Sequence, residues 1–238
     1  MNPIVLIPAR MASTRLPGKP LADIAGKPMI VRVWEQAAAA GIGPVVVAAA
    51  EREIAAAVEA AGGRAVLTDP GLPSGSDRIF AALQSLGGSH DVVVNLQGDL
   101  PALDPACVLA AAAALPGHDI ATLAARIDDP ADGDNPNVVK PVVAWNPGED
   151  TGRALYFTRA RAPHGEGALF HHIGIYAYTR DALARFVALP PSPLERREKL
   201  EQLRALEAGM RIAVARVDKV PLSVDTPEDL EKARAWFR

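Results

Sequence analysis

Residues 3–9, PIVLIPA, run directly into Ala9-Arg10-Met11-Ala12-Ser13-Thr14-Arg15-Leu16-Pro17-Gly18-Lys19-Pro20. The short apolar run reads as a buried strand, and the polar stretch after it as a loop. The same alternation continues downstream. Pro28 opens a helix with Ile30, Val33, Trp34 and Ala37 on one face, and Gly41 is placed to end it. Residues 44–49 form a second strand, and a helix over 51–61 stops at Gly62-Gly63. A third strand, 64–68, precedes the loop DPGLPSGSD and a helix carrying Ile79, Phe80 and Leu83. The fourth strand, 91–96, runs into Gln97-Gly98-Asp99, and Asp104-Pro105 reads as an N-cap and first helical residue. Strand and helix in strict alternation predict an α/β fold: a mostly parallel central sheet with helices on both faces.

The rhythm changes after about residue 127. The stretch DDPADGDNPN is rich in turn formers. Residues 138–145, 153–158 and 171–179 read as strands without long helices between them, which predicts a mixed-sheet extension. Ser192-Pro193-Leu194-Glu195 has the form of a capping box and predicts a helix over 193–208 that Gly209 closes. A strand at 211–217 and a last helix opened by Thr226-Pro227 complete the chain.

The chain has 238 residues, 49% hydrophobic and 22% charged, which excludes disordered and fibrous classes. No apolar stretch approaches the roughly 18 residues of a membrane helix, and MNPIVLIPAR lacks the basic start of a signal peptide. The single cysteine, Cys107, excludes an internal disulfide and a cysteine-only zinc site, and fits a reducing cytoplasm. A net charge of −3 argues against nucleic acid as a partner.

Against that acidic balance, residues 1–22 hold Arg10, Arg15 and Lys19 and only basic charge up to that point. In parallel α/β sheets ligands bind at the carboxyl ends of strands. A basic loop there, with small residues exposing backbone amides, suits a polyanion such as a triphosphate. The plainer alternative is a solvated loop with incidental basic residues. Neither GxGxxG nor GxxxxGK[ST] is present, since Gly18-Lys19 is followed by Pro20, which counts against dinucleotide oxidoreductases and P-loop NTPases.

PARMASTRLPGKPL at 8–21, followed by GKPMI, closely resembles the opening of the 3-deoxy-manno-octulosonate (KDO) cytidylyltransferase family. The resemblance spans almost the whole chain: AVEAAGG at 57–63, NLQGD at 95–99, NPNVVK at 135–140, ALYFTRA at 154–160, HIGIYAY at 172–178, SPLE and EQLR within 192–204, and VDTPEDLE at 224–231. It implies the nucleotide-diphospho-sugar transferase fold and transfer of CMP from CTP to an eight-carbon acidic sugar, which activates that sugar for lipopolysaccharide synthesis. It further implies a single cytidylyltransferase domain over 1–238, with a nucleotide portion at 1–127 and an acceptor and dimerisation portion at 128–238. A cytoplasmic homodimer follows from the same likeness.

The resemblance also implies roles. Pro8, Arg10, Ser13, Arg15, Lys19, Ser74, Gly75 and Arg78 would bind the nucleotide, with Lys19 also catalytic. Asp99 and Asp225 would be catalytic ligands of Mg2+; each lies at the end of an element on the predicted ligand-binding edge, and Gly98 is expected to let a phosphate approach closely. Helix-flanking or turn aspartates are the plain alternatives. Without metal, two facing carboxylates are expected to repel. The acceptor site would consist of Gln97, Arg159, His172, Tyr176, Glu201 and Gln202. Arginine suits the sugar carboxylate as a bidentate donor, and His172 and Tyr176, four apart in a strand, share a face. A core histidine, a packed tyrosine and a surface salt bridge are the plain readings of His172, Tyr176 and Glu201. Ser74 also reads as a helix N-cap. The chain departs from the family pattern at Pro73, where glutamine is usual, and at Leu100, where an acid is common. A related acceptor, 8-amino-KDO or sialic acid, and a nucleotide-binding module without turnover remain as alternatives.

Overall fold

Ile4, Val5, Leu6 and Ile7 alternate between the two faces of their strand, and all four are 2% exposed or less. Both faces of that strand are therefore covered, as a parallel sheet between helix layers requires. The computed structural model describes residues 1–13 and 15–238; Thr14, within the basic loop, lies outside the described residues. The chain divides into two compact units, Met1–Leu109 with Pro221–Arg238, and Ala110–Val220.

The first unit begins with β1 (Pro3–Ala9), a small hairpin of β2 (Asp23–Ile24) and β3 (Lys27–Pro28), and α1 (Met29–Ala39). It continues with β4 (Val45–Ala49), α2 (Arg52–Ala60), β5 (Arg64–Leu67), α3 (Gly75–Leu86), β6 (Val92–Asn95) and the start of α4 (Pro105–Ala113). Its strands lie in the order β5-β4-β1-β6, all parallel. Val5 stands opposite Val45, and Leu6 opposite Asn95. The helices form where the apolar spacing predicts: α1 buries Met29, Ile30, Val33 and Ala37, and Ser74 caps α3 by accepting the Asp77 N–H.

The second unit holds β7 (Ile120–Arg126), α5 (Pro130–Asp134), β8 (Lys140–Trp145), β9 (Thr151–Thr158) and β10 (Phe170–Thr179). After these come α6 (Arg180–Ala188), α7 (Pro193–Glu198), α8 (Leu203–Glu207) and β11 (Ile212–Val217). The strand order is β10-β7-β11-β9-β8, with only β7 and β11 paired in parallel, so this is the expected mixed sheet. Among the described residues no helix is long and apolar enough to cross a membrane.

Three local readings change. The predicted helix over 193–208 is two helices, α7 and α8, because Lys199 adopts a left-handed conformation at φ 56°. That break lets Leu200 and Leu203 reach the core while α7 buries none of its residues. It also moves Glu201 and Gln202 out of a continuous helix and into the turn before α8. Within the turn-rich stretch, Asp129 caps the single-turn helix α5 by accepting the Ala131 N–H at 2.9 Å. Finally, β7 has no clear sequence signature. Alanine is a poor strand former, and IATLAAR follows an alanine-rich helix, yet its first six residues are buried.

The last helix, α9 (Pro227–Trp236), opens with a capping box between Thr226 and Asp229 and belongs to the first unit. Val224, Leu230 and Ala233 form a small core with Ile24 and Met29, edged by Leu16 and Phe237. Arg32 stacks over the Phe237 ring at 4.4 Å, and Arg234 Nε donates to the Asp23 carbonyl at 2.9 Å. These contacts fix the C-terminal segment against the β2–β3 hairpin.

In the second unit Gly152 stands opposite Trp145 across the β8–β9 pair. A Cβ there would lie 2.7 Å from the Ala144 carbonyl oxygen and 2.8 Å from Trp145 Cα. Both are backbone atoms with nowhere to move. Gly152→Ala should therefore destabilise the fold by about 1–3 kcal/mol, read as a lower urea midpoint. An unchanged midpoint would show that β8 and β9 separate at no cost.

Candidate active site

The carboxyl ends of β1 and β6 and the N-terminus of α3 enclose a cleft of about 630 Å³ in the first unit, within the size range of small-molecule sites. Its lining includes Pro8, Arg10, Ser13, Arg15 and Lys19 from the basic loop and Ser74, Gly75 and Arg78 from α3 and its cap. Gln97, Asp99 and Asp225 line it too. All eight residues expected to bind the nucleotide, both aspartates and Gln97 are thus brought to one cleft, which is the place a parallel sheet offers a ligand.

The loop is held by its own chain. Gly18 takes φ 70°, a left-handed turn glycine adopts freely, and its N–H donates to the Met11 carbonyl at 3.2 Å. Ser13 Oγ accepts the Leu16 N–H at 3.4 Å. The Met11 N–H donates to the Glu51 carboxylate at 2.9 Å. The acid-free character of residues 1–22 is therefore a property of the sequence and not of the space around the loop, where Glu51 and Asp225 supply negative charge.

Lys19 stands at the centre of this electrostatic arrangement. Its ammonium donates to Asp99 at 2.9 Å and to Asp225 at 3.1 Å, and its side chain is only 16% exposed. Arg15 adds a second ion pair to Asp225 at 3.1 Å. The expected repulsion between the two carboxylates does not arise, because a cation already lies between them. Two carboxylates converging on one positive charge have the donor chemistry of a site for a hard divalent cation. Among the described residues no group of three or more His, Cys, Asp or Glu is placed so that it could hold a metal ion. Two protein carboxylates with phosphate and water oxygens match how magnesium is commonly held.

Two neighbours of these residues have structural tasks. Arg78 is 2% exposed and spends its guanidinium on Thr68 Oγ1 at 2.7 Å and on the Asp69 carbonyl at 3.0 Å, fixing the loop before α3. Burial first, and the Arg10 charge second, hold its pKa below the ordinary guanidinium value. Gly98 would place a Cβ 2.9 Å from the Pro8 carbonyl oxygen. Backbone crowding thus accounts for that glycine without a phosphate. Leu100, where the family commonly has an acid, is buried at 6% exposure. Ser74 keeps its capping role, and its hydroxyl donates to the Asp77 carboxylate at 2.6 Å.

The remaining predicted residues belong to the second unit. Arg159 follows β9 and is held by carbonyl groups: Nε donates to Glu198 at 2.8 Å and one Nη to Pro136 at 2.9 Å. Its own N–H donates to the Glu198 carboxylate at 3.0 Å. His172 and Tyr176 do share a face of β10, with ring centroids 5.6 Å apart across a bulge. Phe157 packs edge-on against His172 at 5.0 Å. Burial pushes the His172 pKa down to about 3, and burial raises the Tyr176 phenol well above its usual value, so both are neutral near pH 7.

Hydrogen bonding assigns the His172 tautomer. The single Thr122 hydroxyl proton has the Ile175 carbonyl at 2.8 Å and the Ile173 carbonyl at 3.1 Å to serve. His172 Nε2, 3.0 Å from the same oxygen, must then carry the hydrogen and donate it. Nδ1 is left as an acceptor. In the turn before α8, the Glu201 carboxylate meets Arg204 at 3.4 Å. Gln202 is 5% exposed, and its Nε2 finds no acceptor among the described residues. A buried amide without a partner costs about 1–3 kcal/mol, which a ligand oxygen would offset.

Sequence reasoning missed Glu51, the Arg15–Asp225 pair and the carbonyl cage around Arg159. No motif announces them, because each depends on backbone or charge groups brought together only by folding.

The cytidylyltransferase family model matches residues 4–212. The 3-deoxy-manno-octulosonate cytidylyltransferase of Parvibaculum lavamentivorans is 68% identical over 238 residues, covering 98% of this chain and 92% of its own. The protein of the same name from Rhodospirillum centenum is 66% identical over 238 residues, covering 98% and 93%. A solved structure of CMP:2-keto-3-deoxy-manno-octonic acid synthetase complexed with CTP superposes with a TM-score of 0.91 at 40% identity, covering 100% of this chain and 98% of that one. With the ordered motifs retained along its whole length, the chain belongs to the 3-deoxy-manno-octulosonate cytidylyltransferase family.

Proposed function

We propose that this protein transfers CMP from CTP to 3-deoxy-D-manno-octulosonate, releasing pyrophosphate and activating the sugar for lipopolysaccharide synthesis. The observation that carries the reading is the convergence of Lys19, Asp99 and Asp225 in the first-unit cleft, at distances of 2.9 and 3.1 Å, beside Arg10 and Arg15. The family's relatives and the CTP complex described above support the choice of nucleotide and acceptor.

The chemistry is an in-line displacement. The acceptor's anomeric hydroxyl oxygen bonds to the α-phosphorus, and the bond from that phosphorus to the bridging oxygen breaks. The electron pair leaves with pyrophosphate, and the hydroxyl proton passes to water. Arg10, Arg15 and Lys19 hold the triphosphate and neutralise charge that grows on the leaving group. Arg159 receives the acceptor carboxylate, while His172 Nδ1, Tyr176, Glu201 and Gln202 Nε2 orient its hydroxyls. Gln97 lines the nucleotide cleft. Neutral His172 is too weak a base to matter at pH 7, so the work is positioning and charge neutralisation. Magnesium is the metal we assign: Asp99 and Asp225 would hold it, and there it would neutralise phosphate oxygens. A cytoplasmic homodimer belongs to the same proposal, resting on the single cysteine and the strand-rich stretch 138–179.

Pyrophosphate release should be measured with each of the four nucleoside triphosphates against KDO, 8-amino-KDO and sialic acid. CTP with KDO should turn over fastest. Equal turnover with UTP or ATP, or a higher kcat/KM for another acid, would overturn the corresponding half of the assignment.

Arg159→Ala should weaken acceptor use and spare CTP binding, since a carboxylate that loses its charged partner costs about 2–5 kcal/mol. An acceptor KM and kcat both within about twofold of the parent would remove Arg159 from the site.

Asp225→Asn should lower turnover by a factor on the order of 10². It also breaks ion pairs to Arg15 and Lys19; being partly exposed, they should change stability by no more than about 1 kcal/mol. The melting temperature should stay level or fall slightly without magnesium. Near-normal turnover at low magnesium would make Asp225 a helix-flanking residue only.

A further inference from the structure

Lys140 is the first residue of β8, and its long side chain is fully buried, at 0% exposure. A lysine so placed is uncommon unless it is partnered. Its Nζ donates to three backbone carbonyls: Asn135 at 2.8 Å, Val138 at 2.6 Å and Arg159 at 2.8 Å. Burial holds its pKa below that of a free lysine. Three acceptors nonetheless require three N–H groups, and only the charged ammonium has them. The charge is thus committed to backbone geometry, and among the described residues no carboxylate forms an ion pair with it.

The three carbonyls are not scattered. Asn135 and Val138 bracket the turn whose Pro136 carbonyl accepts from the Arg159 guanidinium at 2.9 Å. The third carbonyl belongs to Arg159 itself. From the other side, Glu198 accepts the Thr158 hydroxyl at 2.8 Å and the Arg159 N–H at 3.0 Å, while its carbonyl accepts from Nε. Lys140 therefore ties together the backbone of Arg159 and the turn that grips the Arg159 side chain. Replacing its ammonium leaves three carbonyls pointing at one another.

We infer that Lys140 is a positioning residue for acceptor recognition: its buried ammonium sets the direction of the Arg159 guanidinium. The inference rests on the reading of Arg159 as the partner of the acceptor carboxylate. Lys140 touches no substrate and acts through Arg159.

A double-mutant cycle tests it. Lys140→Met, Arg159→Ala and the double variant are compared for acceptor KM, kcat and CTP dissociation constant, with circular dichroism and thermal unfolding of the full chain reporting that each variant is folded. Lys140→Met should raise the acceptor KM by about tenfold or more, as small misplacements of a binding group do, and leave CTP affinity within about twofold. On the Arg159→Ala background the same change should move the acceptor KM by less than about twofold, because the group it positions is gone. An equal rise on both backgrounds, or no rise on the parent, overturns the inference. If Arg159→Ala alone leaves the acceptor KM unchanged, the carboxylate assignment itself has failed. Should Lys140→Met not fold, Lys140→Arg is read through the same cycle. It keeps the charge but must push the three carbonyls apart, so the same background-dependent rise is expected and its absence is equally decisive.

Discussion

The Val224 N–H donates to the carbonyl of Asp99 at 2.9 Å, and the arrangement of charge in the cleft depends on that bond. It joins the turn after β6 to the start of the C-terminal segment and sets Asp225 beside Asp99. The bond is supported on its far side by Val224, Leu230 and Ala233 packed on Ile24 and Met29. Apolar burial thus supplies the driving force, and one hydrogen bond supplies the register. With the two carboxylates so placed, Lys19 has a position between them, and the basic loop that carries it acquires a fixed end.

That placement has an electrostatic logic. Two like charges facing each other repel, and the Lys19 ammonium, 2.9 Å from Asp99 and 3.1 Å from Asp225, offsets that repulsion. The chain therefore carries its own counter-cation at the point where a metal and a triphosphate would meet. Arg15, 64% exposed at its side chain, is the outer and more easily displaced partner of Asp225. The second unit solves its problem differently. There the cation of Lys140 is enclosed and committed to carbonyl groups, and Arg159 keeps part of its guanidinium accessible. One buried charge thus holds the backbone around another that is partly exposed.

Much of this was legible in the residue order. The apolar run at 3–9, the helix signals at Pro28, Ser74 and Thr226, and the glycine stops gave the parallel half of the fold, because those signals act within a few residues of where they stand. The failures share a cause. The strand β7 is alanine-rich, and its strand character comes from burial between β10 and β11. The helix predicted over 193–208 breaks at Lys199, a residue with no intrinsic preference for a left-handed backbone, because Leu200 and Leu203 are drawn into the core. In both cases tertiary packing outweighs local propensity.

The site divides along the same line. Which residue types are present, and that Arg10, Arg15 and Lys19 follow the first strand, is written in the sequence, and so is the family to which the motifs point. That Glu51 holds the Met11 N–H, that Arg78 supports a loop, that Gly98 is demanded by the Pro8 carbonyl and that Lys140 is caged beside Arg159 were decided only by the folded chain. The reason is physical: the sequence fixes charges and shapes one residue at a time, whereas a hydrogen bond to a backbone carbonyl depends on where two distant segments come to rest.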